Sequence, residues 1–257
     1  MTDQVTEQTK KSKIAQWPWL LGIAFVLVVF ISSQLFAYIL LSASLSANHW
    51  SGKRIDGWLT DSWQGQFFFI LLAEVIVIGS VLLFAKHYKG LKAIGVRKPK
   101  ISDLGHALIV VPAYLVAYVL LAVTISMLVP GFDLNQEQDI GFEDAHGFLA
   151  LTAVFLGLVI LTPIAEELMA RGVLYSSFKK AMPIIWAAIF TSIFFAIPHL
   201  FGGVSSSLLY VAVLDTFILS MFLVYLREKT GALWAPITLH AIKNGVAFFA
   251  LFVIGSR

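Results

Sequence analysis

Long apolar runs separated by short polar stretches organise this chain. They cover residues 17–43, 65–85, 104–129, 148–175, 182–199, 208–226 and 233–254. Each is near or above the roughly 20 apolar residues that a helix needs to cross hydrocarbon. The runs are continuous and do not alternate every second residue, which excludes a closed strand barrel. The pattern therefore predicts an all-α polytopic membrane protein, a bundle of about seven transmembrane helices with eight as the upper count. Residues 1–16 read as a polar N-terminal tail and 17–257 as one transmembrane domain. The first run follows Lys10, Lys11 and Lys13 and extends for about 25 residues. A signal peptide's apolar core is about 7–15 residues long, so this run reads as a retained first helix.

Composition agrees. Of the 257 residues 59% are hydrophobic and 13% charged, where soluble domains carry about 25% charge. So little charge does not cover so much apolar surface in water. The net charge of +3 gives no reason to invoke nucleic acid. The absence of cysteine removes disulfides, thiolate nucleophiles and Cys metal sites from consideration.

Basic residues set the orientation, because short cytoplasmic loops are enriched in Lys and Arg. With the N-terminus inside, the inner segments hold Lys86, Lys89, Lys92, Arg97, Lys98, Lys100, Lys179, Lys180, Arg227, Lys229 and the three tail lysines. The outer segments hold Lys53, Arg54 and Arg257, and the outer stretch 131–147 has five acids and no Lys or Arg. Seven crossings place the N-terminus in the cytoplasm and the C-terminus outside, in a multi-pass protein of the cell membrane. The stretch 86–100 is read as a topology signal meeting lipid headgroups. Trp17, Trp19, Trp50, Trp58 and Trp63 are read as interfacial anchors. Ser205–Ser207 reads as a turn.

The remaining polar groups lie where hydrocarbon penalises them by about 2.5–3.5 kcal/mol each on insertion scales. Three segments concentrate them. In Thr162-Pro163-Ile164-Ala165-Glu166-Glu167-Leu168-Met169-Ala170-Arg171, Glu167 and Arg171 are four apart and share a helix face. Glu166 points about 100° away. Pro163 cannot donate to residue 159. In Phe195-Ala196-Ile197-Pro198-His199, the ring of Phe195 lies one turn before His199, which precedes Gly202 and Gly203. In Pro236-Ile237-Thr238-Leu239-His240-Ala241-Ile242-Lys243-Asn244, His240 and Asn244 share a face, and Pro236 leaves the carbonyl of Ala232 without a helical donor. One by one, such groups suit ion pairing or interhelical hydrogen bonding. Together they are the parts needed to activate water and to stabilise an oxyanion. Counting residues from the inner boundary gives Glu166, His199 and His240 a broad central zone and not one depth. Tilt, a kink at Pro198 or a shorter fourth helix is needed to bring them level.

At these residues the sequence resembles the family of intramembrane glutamic proteases that includes the CAAX prenyl endopeptidases and the bacteriocin-processing or self-immunity proteins (CPBP). The resemblance rests on Glu166-Glu167 with Arg171, Phe195 with His199, and His240 with Asn244. The phrase Thr230-Gly231-Ala232-Leu233-Trp234-Ala235-Pro236 adds to it. It covers about 148–249. It implies an intramembrane endopeptidase in which Glu166 is the general base for a water, His199 holds and polarises that water, and His240 and Asn244 form the oxyanion side. Glu167 and Arg171 support them. No covalent intermediate and no cofactor are implied. A zinc enzyme would instead draw its ligands from Glu166, His199 and His240, although the His-Glu-x-x-His helix of zinc proteases is absent. The partners implied are membrane lipids and a peptide or protein substrate reaching the bilayer, whether prenylated, a leader or a signal peptide.

Two other readings stay open. One is a non-catalytic membrane scaffold or self-immunity protein. The other is a transporter, since embedded acids and imidazoles also relay protons; the paired inverted halves of many transporters are not seen. Glu74 and Asp215, each in mid-span, either line the cavity or pair with Lys243. No Gly-x-Ser-x-Gly elbow singles out a serine.

Overall fold

Hydrocarbon offers backbone amides no partner, so the apolar runs close their hydrogen bonds within themselves as helices. The computed structural model describes residues 17–88, 90–136, 138–201 and 208–255. The tail, Lys89, Gly202 and Gly203, the Ser205–Ser207 turn and Arg257 lie outside these. The helices are α1 (Trp19–Ala47), α2 (Gly52–Asp61), α3 (Trp63–His87), α4 (Ile101–Leu128), α5 (Gly147–Ala181), α6 (Ile184–Leu200), α7 (Tyr210–Thr230) and α8 (Trp234–Ile254).

Six of the eight are long and apolar enough to cross a membrane. The chain is thus an all-α, multi-pass membrane protein. The expected span 182–199 becomes the shorter α6, whose last turn tightens into a 3-10 helix over Ile197–Leu200. Pro198 accounts for this, because it cannot donate to the preceding turn. The ten-residue α2 was not anticipated. It is amphipathic, with Ile55 buried and Arg54 lying 3.8 Å over the Trp50 ring.

Helix α5 is central. It packs against α1, α3, α6 and α8, while α4 packs on α7 and α8, and α6 on α7. Three basic stretches meet at one end of the bundle. Lys179 Nζ lies 2.6 Å from Glu228 Oε1, joining the ends of α5 and α7. Arg227 donates to the Ala93 carbonyl at 2.6 Å, and Trp234 Nε1 donates to the Arg97 carbonyl at 2.6 Å. Arg97 is engaged bidentately with Asp103 at 2.6 and 2.9 Å. The 86–100 stretch therefore clamps the ends of α5, α7 and α8, a structural use that its charge alone did not reveal.

Trp17 is also not an interfacial anchor. Its side chain is fully buried, and its indole N–H donates to Ser177 Oγ at 2.9 Å. It fits because a Cβ at Gly90 would stand 2.5 Å from its ring, and one at Gly22 would clash with both the indole and Ser177. A Cβ at Gly79, by contrast, meets open space. Gly22→Ala is expected to destabilise the detergent-solubilised protein by about 1–3 kcal/mol, as overpacking does. Gly79→Ala is expected to leave the thermal midpoint unchanged or raise it, and parallel melting curves compare the two.

Candidate active site

The site starts with an irregularity in α5. Its hydrogen-bond register widens to π over Phe155–Leu161, returns to α over Thr162–Glu167, and widens again over Leu168–Leu174. The two glutamates thus end a single α-helical stretch held between two π segments. Such bulges concentrate at functional sites because they re-aim side chains within a continuous helix. Pro163 helps explain the first. The Thr162 N–H reaches back five residues to the Gly157 carbonyl. In that register the next carbonyl, that of Leu158, faces residue 163, a proline with no N–H. Asn244 of α8 supplies the missing donor, with Nδ2 2.9 Å from the Leu158 oxygen. The orphaned carbonyl lies at 158 and not at the 159 that α-helical counting predicts.

Glu167 and Arg171 pair as their spacing suggests, at 2.8 Å, with both side chains wholly buried. Arg171 is then enclosed. Its second Nη donates to Ser220 Oγ of α7 at 2.6 Å, and its guanidinium lies 4.2 Å over the Phe195 ring of α6. An isolated guanidinium here would cost several kcal/mol; a carboxylate, a hydroxyl and a π-face offset that cost. The Phe195 ring also meets His240 edge-on at 5.8 Å and His199 at 5.6 Å. One aromatic therefore packs against three of the polar groups.

His240 joins the two glutamates. Its Nδ1 lies 3.0 Å from Glu167 Oε1, and its Nε2 lies 3.6 Å from Glu166 Oε2. The ring is buried, while Glu166 keeps a quarter of its side-chain surface. Glu167 thus holds Arg171 and the His240 Nδ1 on the same carboxylate oxygen. That fixes the ring plane and aims Nε2 at Glu166.

Glu166 opens into a cavity of about 110 Å³ between α1, α5 and α6. Val26, Leu27 and Phe30 of α1 and Phe194 and Phe195 of α6 supply apolar walls, and His199 lines the same cavity as Glu166. The His199 Nδ1 lies 3.0 Å from the Phe195 carbonyl, which leaves Nε2 free to turn elsewhere. His240 and Asn244 are absent from the cavity lining. One contacts Glu166 from α8, and the other is tied to Leu158. The structure thus brings Glu166, Glu167, Arg171 and His240 into contact, sets His199 on the cavity that Glu166 lines, and gives Asn244 a fastening contact.

Pro236 has a similar consequence. The Ala232 carbonyl accepts from Thr230 Oγ1 at 3.2 Å. Of the two mid-span acids, Asp215 pairs with Lys243 at 3.4 Å and accepts from Tyr114 Oη at 2.5 Å. Glu74 is buried against Thr162 and the charge of Glu166. Sequence reasoning missed Ser220 and Tyr114. The signal for Ser220 was a small hydroxyl, with Thr216 one turn before it, within the apolar run of α7, opposite a buried arginine in need of acceptors.

The donor set does not fit a catalytic zinc ion. Glu166 and His240 come close, but among the described residues no three His, Cys, Asp or Glu side chains converge on one point. The arrangement is consistent with chemistry that needs no metal.

Residues 148–246 match the family model for the Rce1-like type II CAAX prenyl endopeptidases. A CAAX-protease domain is thus detected over part of the chain. The matched stretch begins in α5, ends in α8 and contains all three polar segments. No curated protein and no solved structure matches the chain.

Removing one member of the buried set tests it. Ser220→Ala leaves an arginine N–H unpaired and is expected to cost about 1–3 kcal/mol. Arg171→Met strands Glu167 and is expected to cost about 3–5 kcal/mol, much of it recovered when Glu167→Gln is added. Unfolding in detergent measures all three.

Proposed function

We propose that this protein is an intramembrane endopeptidase that hydrolyses a peptide bond with water activated by Glu166. One observation carries the reading. Of two adjacent glutamates, one is neutralised by a buried arginine and the other faces a cavity that also contains an imidazole. Simple charge compensation needs only the first.

In this mechanism a water enters between Glu166 and His199. Glu166 removes its proton as the oxygen attacks the peptide carbonyl carbon. The resulting oxyanion is met by donors from the α8 side. Asn244 has one amide N–H left after bonding Leu158, and His240 offers an Nε2–H when its ring is cationic. Glu166 then passes its proton to the leaving amide nitrogen, and the products are a carboxylate and an amine. Glu167 and Arg171 act through His240, whose orientation they fix. The substrate is a peptide or protein segment reaching the bilayer, and the apolar cavity walls between α1 and α6 suit entry from lipid. A prenylated C-terminus, a leader and a signal peptide all remain compatible with those walls.

Glu166→Gln is expected to lower cleavage of such peptides by at least about 100-fold at matched folding, as judged by melting curves. Unchanged cleavage would leave a non-catalytic scaffold or immunity protein as the better reading. A chelator is expected to have no effect; loss of activity restored by zinc would replace the carboxylate mechanism with a metal one.

The topology proposed is seven crossings, N-terminus cytoplasmic and C-terminus outside, with α6 as the seventh. At about 1.5 Å per residue its 17 residues span about 25 Å, short of the roughly 30 Å hydrocarbon core. A crossing this short calls for local thinning of the bilayer beside α6. The absence of native cysteine makes a direct check available. In intact cells, an impermeant maleimide is expected to label Asp139→Cys and to spare Lys98→Cys; the reverse pattern would invert the topology.

A further inference from the structure

Among the described residues, Lys243 is an embedded cation to which the site described above gives no task. It lies in α8, three residues after His240 and one before Asn244. Its charge reaches His199. An ammonium at this depth is costly unless it is partnered, and its partner is Asp215, 3.4 Å away. That is longer than the 2.7–2.9 Å typical of a charge-assisted hydrogen bond, and the opposite oxygen of Asp215 already accepts from Tyr114 at 2.5 Å. Among the described residues Lys243 makes no hydrogen bond. Arg97, Arg171, Lys179, Lys180 and Arg227 all do. About a third of the Lys243 side chain is open, against a sixth of Asp215. The ammonium is thus held in place by charge while its three N–H donors remain unspent.

We propose that Lys243 is a specificity-determining residue that binds a carboxylate of the substrate close to the bond being cut. Asp215 and Tyr114 serve as its positioning residues. The inference rests on the hydrolase reading of the same site. A lysine here would offset the cost of bringing an anionic group into hydrocarbon. It would also fix the register of an otherwise apolar peptide, whose side chains find only greasy walls. The carboxylate has two possible sources in a peptide, a free C-terminus or an acidic side chain, and both present the same group to the ammonium.

Binding tests this separately from catalysis. The Glu166→Gln protein in neutral detergent is titrated with short fluorescent Leu/Ala peptides bearing a C-terminal acid, a C-terminal amide, or the amide with one internal Asp. The acid, the Asp-containing amide, or both are expected to bind roughly tenfold tighter than the plain amide, a difference of about 1.4 kcal/mol. Which of them gains identifies the source. Lys243→Gln alone strands Asp215, so it is combined with Asp215→Asn. That double variant is expected to abolish the preference at an unchanged melting temperature, and Lys243→Arg is expected to retain most of it. Equal binding of all three peptides, binding of none, or a preference that survives the double variant overturns the assignment. None of these results bears on Glu166 as the base, which the cleavage assay with Glu166→Gln tests alone.

Discussion

A guanidinium sealed completely inside a membrane protein sets the terms for the rest of this site. Arg171 has no exposed surface, and burying its charge is favourable only where partners replace the lost water. Glu167 from its own helix, Ser220 from α7 and Phe195 from α6 do so. Three helices are thereby held to one point. Glu167, fixed as the counter-charge, orients His240, and His240 reaches Glu166 at the cavity wall. Order passes from a sealed interior to the cavity through two hydrogen bonds and one close contact.

The backbone makes this geometry attainable. In an uninterrupted α-helix, side chains follow a fixed advance of about 100° per residue, and a rigid α5 would have to satisfy the arginine network, the α8 contact and the cavity with that one advance. The π segments on either side of Thr162–Glu167 give the helix two places to rephase. A π bulge leaves carbonyls in need of donors, and one beside a proline leaves them more so. Asn244 meets that need at Leu158, so the residue at the end of the third polar segment secures the distortion that positions the first. The three segments therefore depend on one another physically as well as chemically.

Much of this was legible in the sequence because hydrocarbon is a strict solvent. It makes spans visible as apolar runs and makes every embedded charge conspicuous. The Glu167–Arg171 pair followed from i,i+4 spacing, and the orphaned Ala232 carbonyl followed from Pro236. What could not be read depends on register and on partners distant in sequence. The shift of the orphan carbonyl from 159 to 158 requires knowing that the helix is π there. Ser220 looked like any small residue of a span until Arg171 was placed opposite it. Trp17 looked interfacial by position, and only Gly22 and Gly90, far apart in the chain, make the pocket that buries it. The stretch 86–100 reads as topology by charge, yet Arg97 and its carbonyl are used inside the protein. Charge statistics describe where a loop lies and say nothing of what it binds.

The division between the two glutamates also bears on the proposal that Glu166 is the base. A general base must be within reach of the proton it removes and free to take it. Glu167 is unsuited, since its side chain is wholly buried and its Oε1 is taken by both Arg171 and His240. Glu166 escapes both constraints by one residue of helical rotation. It has no hydrogen-bonded cation, it is partly open, and its neighbours are an imidazole behind it and an apolar cavity in front. Adjacent positions in a helix, about 100° apart, are therefore enough to set one carboxylate in the sealed interior and the other at a cavity.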